Sequence, residues 1–168
     1  YQRSSRADPK ALERDPENLW LGRFTPRRLE AESIRDAMLF VAGDLEFAGG
    51  GPARDDLHAA CRSVYVQTAR WDRSSFAMLF DAANPDASVD KRVASTVAPQ
   101  SLFLLNHAFA QTRARRFAQS LLHSKFSHPS LRIQSAFEWL YSRSATEREI
   151  QLLLALLESN GGIESTSA

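Results

Sequence analysis

Glu32 and Asp36 are the residues best spaced for chemistry in this chain. Four positions apart on a helix, they share a face, as a carboxylate pair for acid–base or metal work requires. Arg35 beside them would tune their protonation. The same spacing has a plainer reading. Arg28 reaches Glu32 at four positions and Arg35 reaches it at three, which is the arithmetic of helix ion pairs. Arg62, Tyr65, Arg70 and Arg92 are the ligand-binding candidates. With Asp72, Asp81 and Asp90 these arginines form either an anion or sugar site or a set of loop-anchoring pairs. Arg113, Arg115 and Arg116 form a basic run that reads as a solvated helix face.

Other chemistries find less footing. The four histidines show no metal-ligand spacing, so no metal site is expected. Cys61 is the single cysteine, so no internal disulfide forms, and a small, partly buried thiol fits better than a nucleophile. Gly49–Gly51 is no phosphate loop, since no Lys-Ser/Thr follows. Trp20, Trp71 and Trp139 raise the question of sugar stacking, against the default of packing.

The elements that must position these residues are helical. A Thr25 cap and Pro26 open a helix to Gly43, with Leu29, Ile34, Ala37, Met38 and Val41 on its apolar face. Further helices are expected at 74–80, from Pro99 to Leu105, from Asn106 to Leu122, at 130–141 and at 146–158. Thr146-x-x-Glu149 is a capping box, and the helix after it is apolar nearly all round, so it should be covered on more than one side. Arg62–Val66 reads as one short strand without a visible partner. The fold class is therefore mainly α, a helical domain with a minor short β element. The 168 residues fit a single domain, with an irregular lead-in at 1–24 anchored by Trp20 and Phe24 and a flexible tail at 159–168. The lone strand and the start at Tyr1 without an initiator Met lead us to expect a fragment of a larger module.

Composition bounds the partners. Net charge is +1 with both signs interspersed, which disfavours nucleic acid. No apolar run approaches the length of a membrane span, and no signal peptide is visible.

Several strings, in order, carry a family resemblance: Arg27 to Met38, Gly49-Gly50-Gly51-Pro52, Arg62-Ser63-Val64-Tyr65-Val66, Phe80 to Pro85, Ser95 to Leu102, and Leu104-Leu105-Asn106. Together they resemble the planctomycete-specific domain of cytochrome-c-associated surface proteins, domain of unknown function 1553. The resemblance implies the C-terminal half of such a domain, in an exported protein of the cell envelope, periplasm or surface. Its partners would be upstream domains of the same polypeptide, with a glycan or an envelope protein besides. No cofactor is expected in this chain, and a c-type haem would sit in an upstream domain. Val89-Asp90-Lys91 stands where the family often has a cysteine, and His107-Ala108 replaces a common Ser-Pro. The resemblance transfers no catalytic residue. Two readings follow: an accessory or binding module, or part of a polysaccharide-acting or redox enzyme coupled to the upstream haem.

Overall fold

The structure, a computed structural model, describes residues 3–6, 8–47, 50–54, 56–68, 75–84, 86–90, 92 and 94–159. The chain separates into two compact units, Tyr1–Glu30 and Ala31–Ala168.

The first unit holds a short helix, α1 (Pro9–Arg14), where an irregular segment was expected. Asp8 accepts from the Lys10 backbone N–H, and Pro9 supplies a first-turn residue with no N–H to satisfy. The Asp15 carboxylate accepts from the backbone N–H groups of Leu19 and Trp20, at 2.8 and 2.9 Å. Trp20 does not anchor the unit, for it is 77% exposed. Asn18 does so instead. Buried in left-handed backbone, it donates to Arg23 O and Thr25 Oγ1 and accepts from Arg23 N. Because Thr25 Oγ1 receives that amide, it caps no helix, and the helix expected from Pro26 begins only at Ala31.

The second unit is helical: α2 (Ala31–Val41), α3 (Ser75–Leu79), α4 (Ala98–Asn106), α5 (Ala108–Leu122), α6 (Pro129–Tyr141) and α7 (Glu147–Ser159). Gly43, at φ +74°, ends α2. Asp44 N donates to Leu39 O and Gly43 N to Phe40 O, the paired bonds of a glycine-terminated helix. Asp81 ends α3 in the same left-handed way, with Ala82 N donating to Ala77 O. Its carboxylate accepts from Ser95 N and Oγ, tying the loop ahead of α4 to the end of α3. Gln100 extends that tie by donating to Leu79 O and Ser95 O. Histidines rather than Asn106 or a serine start the next two helices. His107 Nδ1 accepts from Phe109 N, and His128 Nδ1 from Ser130 N.

Four phenylalanines form the centre. Phe76, Phe80, Phe103 and Phe109 are buried with Ala31 and Leu39, and Phe76 lies 4.7, 5.5 and 6.4 Å from Phe80, Phe103 and Phe109, ring centre to ring centre. The core is thus built by α2, α3, α4 and the first turn of α5. The core was expected to draw also on the helices near 130–142 and 146–158; of these, α6 contributes Ile133 and α7 contributes no buried residue. On α5 the buried residues are Phe109, Ala110 and Arg113, while Ala114, Ala118 and Leu122 face solvent.

The strand expected at Arg62–Val66 is a turn of 3-10 helix, Ser63–Tyr65. Tyr65 N donates to Arg62 O and Val66 N to Ser63 O, so the segment bonds to itself. What remains of the β element is one parallel bridge between Arg54 and Val66, with Arg54 N donating to Tyr65 O and Gln67 N to Arg54 O. Those backbone groups are met within the chain, and among the described residues there is no strand edge at this segment. The alternation misled because Val64 is exposed while Ser63 is drawn inward by side chains of α2.

Candidate polar junction on helix α2

Arg35 is the centre of the candidate site. It falls between Ala31 and Leu39, four residues from each, on the innermost line of α2, and is 3% exposed. Its guanidinium donates from Nε to Leu57 O (3.0 Å), from Nη2 to Ala59 O (2.5 Å) and from Nη1 to Cys61 O (2.9 Å). Alternate carbonyls of one loop therefore converge on one planar fork, a geometry that lysine cannot reproduce. Nη1 also reaches Ser63 Oγ at 3.2 Å and Asp36 Oδ1 at 3.4 Å. Burial lowers the Arg35 pKa from its ordinary value, and the Asp36 carboxylate opposes that shift.

Asp36 completes the junction. Oδ1 accepts from Ser63 N at 2.8 Å and from Ser63 Oγ at 2.7 Å, and Oδ2 lies 3.7 Å from Arg62 Nε. Glu32 Oε2 pairs with Arg92 Nη1 at 2.8 Å, and Glu32 O accepts from Ser63 Oγ. The structure thus brings together Glu32, Arg35, Asp36, Arg62 and Arg92. Each carboxylate of the proposed acid–base pair faces an arginine, and Asp36 is further held by the Ser63 backbone. Arg62 is exposed beyond its contact with Asp36. Tyr65 is half-buried at the end of the 3-10 turn. Arg70, Asp72 and Trp71 lie outside the described residues.

A second junction escaped the reading of the sequence. Asp44, just past the glycine that ends α2, is paired with both Arg113 and Arg116 of α5. Arg113 is buried, its guanidinium lies 5.1 Å from the centre of the Phe109 ring, and its Nε has no hydrogen-bond partner. The basic run is therefore divided: Arg113 and Arg116 fasten α5 to the end of α2, and Arg115 is exposed. Gly43, Asp44, His58, Ala60 and the two arginines line an open cleft of about 420 Å³. Asp44 and Arg113 are 69 residues apart, so no local pattern announces them. Arg35 lies off the apolar face read from the sequence, of which Leu29 and Ala37 are exposed; the buried line of α2 is Ala31, Arg35 and Leu39.

Both junctions act chemically as fasteners. Among the described residues no group of three or more His, Cys, Asp or Glu side chains is placed to hold a metal ion. No described helix is long and apolar enough to cross a membrane.

Comparison with known proteins adds one finding. No curated protein and no solved structure matches the chain. A family model, described as PSD1, protein of unknown function (DUF1553), matches residues 1–157. This match spans both junctions and every helix of the core, and the chain belongs to that family of proteins of unknown function.

Proposed function

We propose that this chain is an accessory, non-catalytic docking module of a larger exported envelope protein of the cytochrome-c-associated kind. It packs through α7 and the end of α6 against other domains of the same polypeptide. One observation carries the reading. Helix α7 turns Ile150, Leu153 and Leu154 into half-buried positions, yet Leu152 and Leu156, four apart on its other side, are 61% and 54% exposed. Trp139, Leu140 and Tyr141 at the end of α6 are exposed as well. An apolar helix with two apolar sides and one covered is built for a second neighbour. The engagement of Asp36 by Ser63, Arg35 and Arg62, and of Glu32 by Arg92, supports the non-catalytic half of the proposal, because both carboxylates are taken up in contacts that fasten other segments to α2.

The test uses the gene product that carries this chain. Residues 1–168 and the remainder of that product are made as separate polypeptides, mixed and chromatographed. Co-elution is expected, and Leu152→Glu with Leu156→Glu is expected to abolish it while leaving the helical circular dichroism intact, since both side chains face solvent. Independent elution of the two pieces, or co-elution indifferent to the double substitution, would contradict the proposal.

A further inference from the structure

The first unit carries an open, largely solvent-exposed cavity of about 470 Å³ whose lining includes Arg3, Arg23 and Arg27. This volume falls in the range of small-molecule sites. Among the described lining residues there is no carboxylate. The arginines are held but not neutralised. Arg3 Nη1 donates to Leu21 O at 2.7 Å, and Arg23 donates from Nη1 to Asp15 O and from Nη2 to Pro16 O. Each of those acceptors is a neutral carbonyl, so three full positive charges remain around one concavity. Arg27 makes no ion pair or hydrogen bond among the described residues. Leu21 and Phe24 add an apolar wall. Leu21 has φ +52°, a conformation unfavourable for a branched side chain, and it keeps that side chain 70% exposed rather than packed. Buried Asn18, bonded on both ends of its amide, fixes the 18–25 segment that carries Leu21, Arg23 and Phe24.

We infer that this cavity binds a small organic anion, a carboxylate, sulfate or phosphate group on a flat apolar body. Guanidinium forks recognise such oxyanions in bidentate fashion, and the apolar wall accepts the body. The inference is independent of the docking role of α7.

The 168-residue chain would be titrated with 1-naphthoate, with the neutral 1-naphthalenemethanol and with inorganic phosphate, and backbone amide shifts followed by NMR. Naphthoate is expected to move the amides of Leu21, Arg23 and Phe24, to weaken as salt rises, and to bind about fivefold or more tighter than the alcohol or phosphate. Arg27→Gln removes a side chain that makes no ion pair or hydrogen bond among the described residues, so the fold should persist and naphthoate affinity should fall about fivefold. Equal affinity for the alcohol, equal affinity for phosphate, no effect of Arg27→Gln, or shifts confined to α6 and α7 would each overturn the inference.

Discussion

Single side chains fasten distant segments to one another, and Arg35 is the clearest case. One guanidinium satisfies three carbonyls of the 57–61 loop, that of Cys61 buried and those of Leu57 and Ala59 half-buried, and braces Ser63 and Asp36. Arg35→Ala would leave those carbonyls without a donor and Asp36 without its buried counter-charge. Removing one partner from such a network costs about 3–5 kcal/mol. Arg35→Lys keeps the charge but offers one nitrogen in place of three, so it should recover less than half of that loss. Urea unfolding of the three proteins measures this directly; an alanine variant within about 0.5 kcal/mol of the parent, the ordinary range for a surface change, would contradict the role. The residue types at this junction were legible in the sequence, but their task was not. Spacing placed Glu32, Arg35 and Asp36 on one helix, and it could not say that the loop 22 to 28 residues further on would close over Arg35. Asp44 shows the limit more sharply, since its partners lie on a helix whose approach depends on the whole aromatic core.

Elements were legible where their signals are local. The Thr146-x-x-Glu149 box is present in full: Glu149 Oε2 accepts from Thr146 N at 2.8 Å, and Thr146 Oγ1 accepts from Glu149 N at 3.4 Å. Arg143, following the left-handed Ser142 that ends α6, adds two bonds to the Glu149 carboxylate, at 2.7 and 2.9 Å. Helices α6 and α7 are thereby joined at their shared corner. The Arg143 bonds chiefly, and the Thr146 N–H after them, lower the Glu149 pKa from 4.5 to about 2. The sign follows from that depression. The interaction stabilises the folded chain above pH 4.5 and is lost as pH falls through about 2. A carboxyl carbon titration by NMR should place the Glu149 midpoint near 2 in the parent and return it toward 4.5 in Arg143→Gln. A midpoint near the ordinary value in the parent would mean that the corner is open in solution. Elements were misread where a distant side chain overrides the local signal. Thr25-Pro26 has every mark of a helix start, yet Asn18 takes the threonine hydroxyl. Ser63-Val64-Tyr65 alternates like a strand, yet Asp36 takes the serine and the segment curls into a 3-10 turn.

At the scale of the molecule, apolar surface is distributed unevenly. The core closes around four phenylalanines from α3 and the turn after it, α4 and α5, while α7 lies at the far end of the succession α5, α6, α7, packed on α6 alone among the principal contacts. The expectation that α7 is covered on more than one side is not met among the described residues of this chain: it packs on α6 and buries no residue. Helix α4 repeats the pattern on a smaller scale, with Leu102 and Leu105 exposed on one side and Phe103 buried. A helix held on one side only opens locally at low cost. The account therefore rests on the outer side of α7 being an interface, and amide hydrogen exchange at residues 150–157 tests it most directly. In the 168-residue chain alone these amides should exchange much faster than those of α2 and α5. In the whole gene product they should slow by about tenfold or more, and Leu152→Glu with Leu156→Glu should restore the fast rates. Exchange in α7 that is equally slow in the isolated chain, or unchanged in the whole product, would contradict the account.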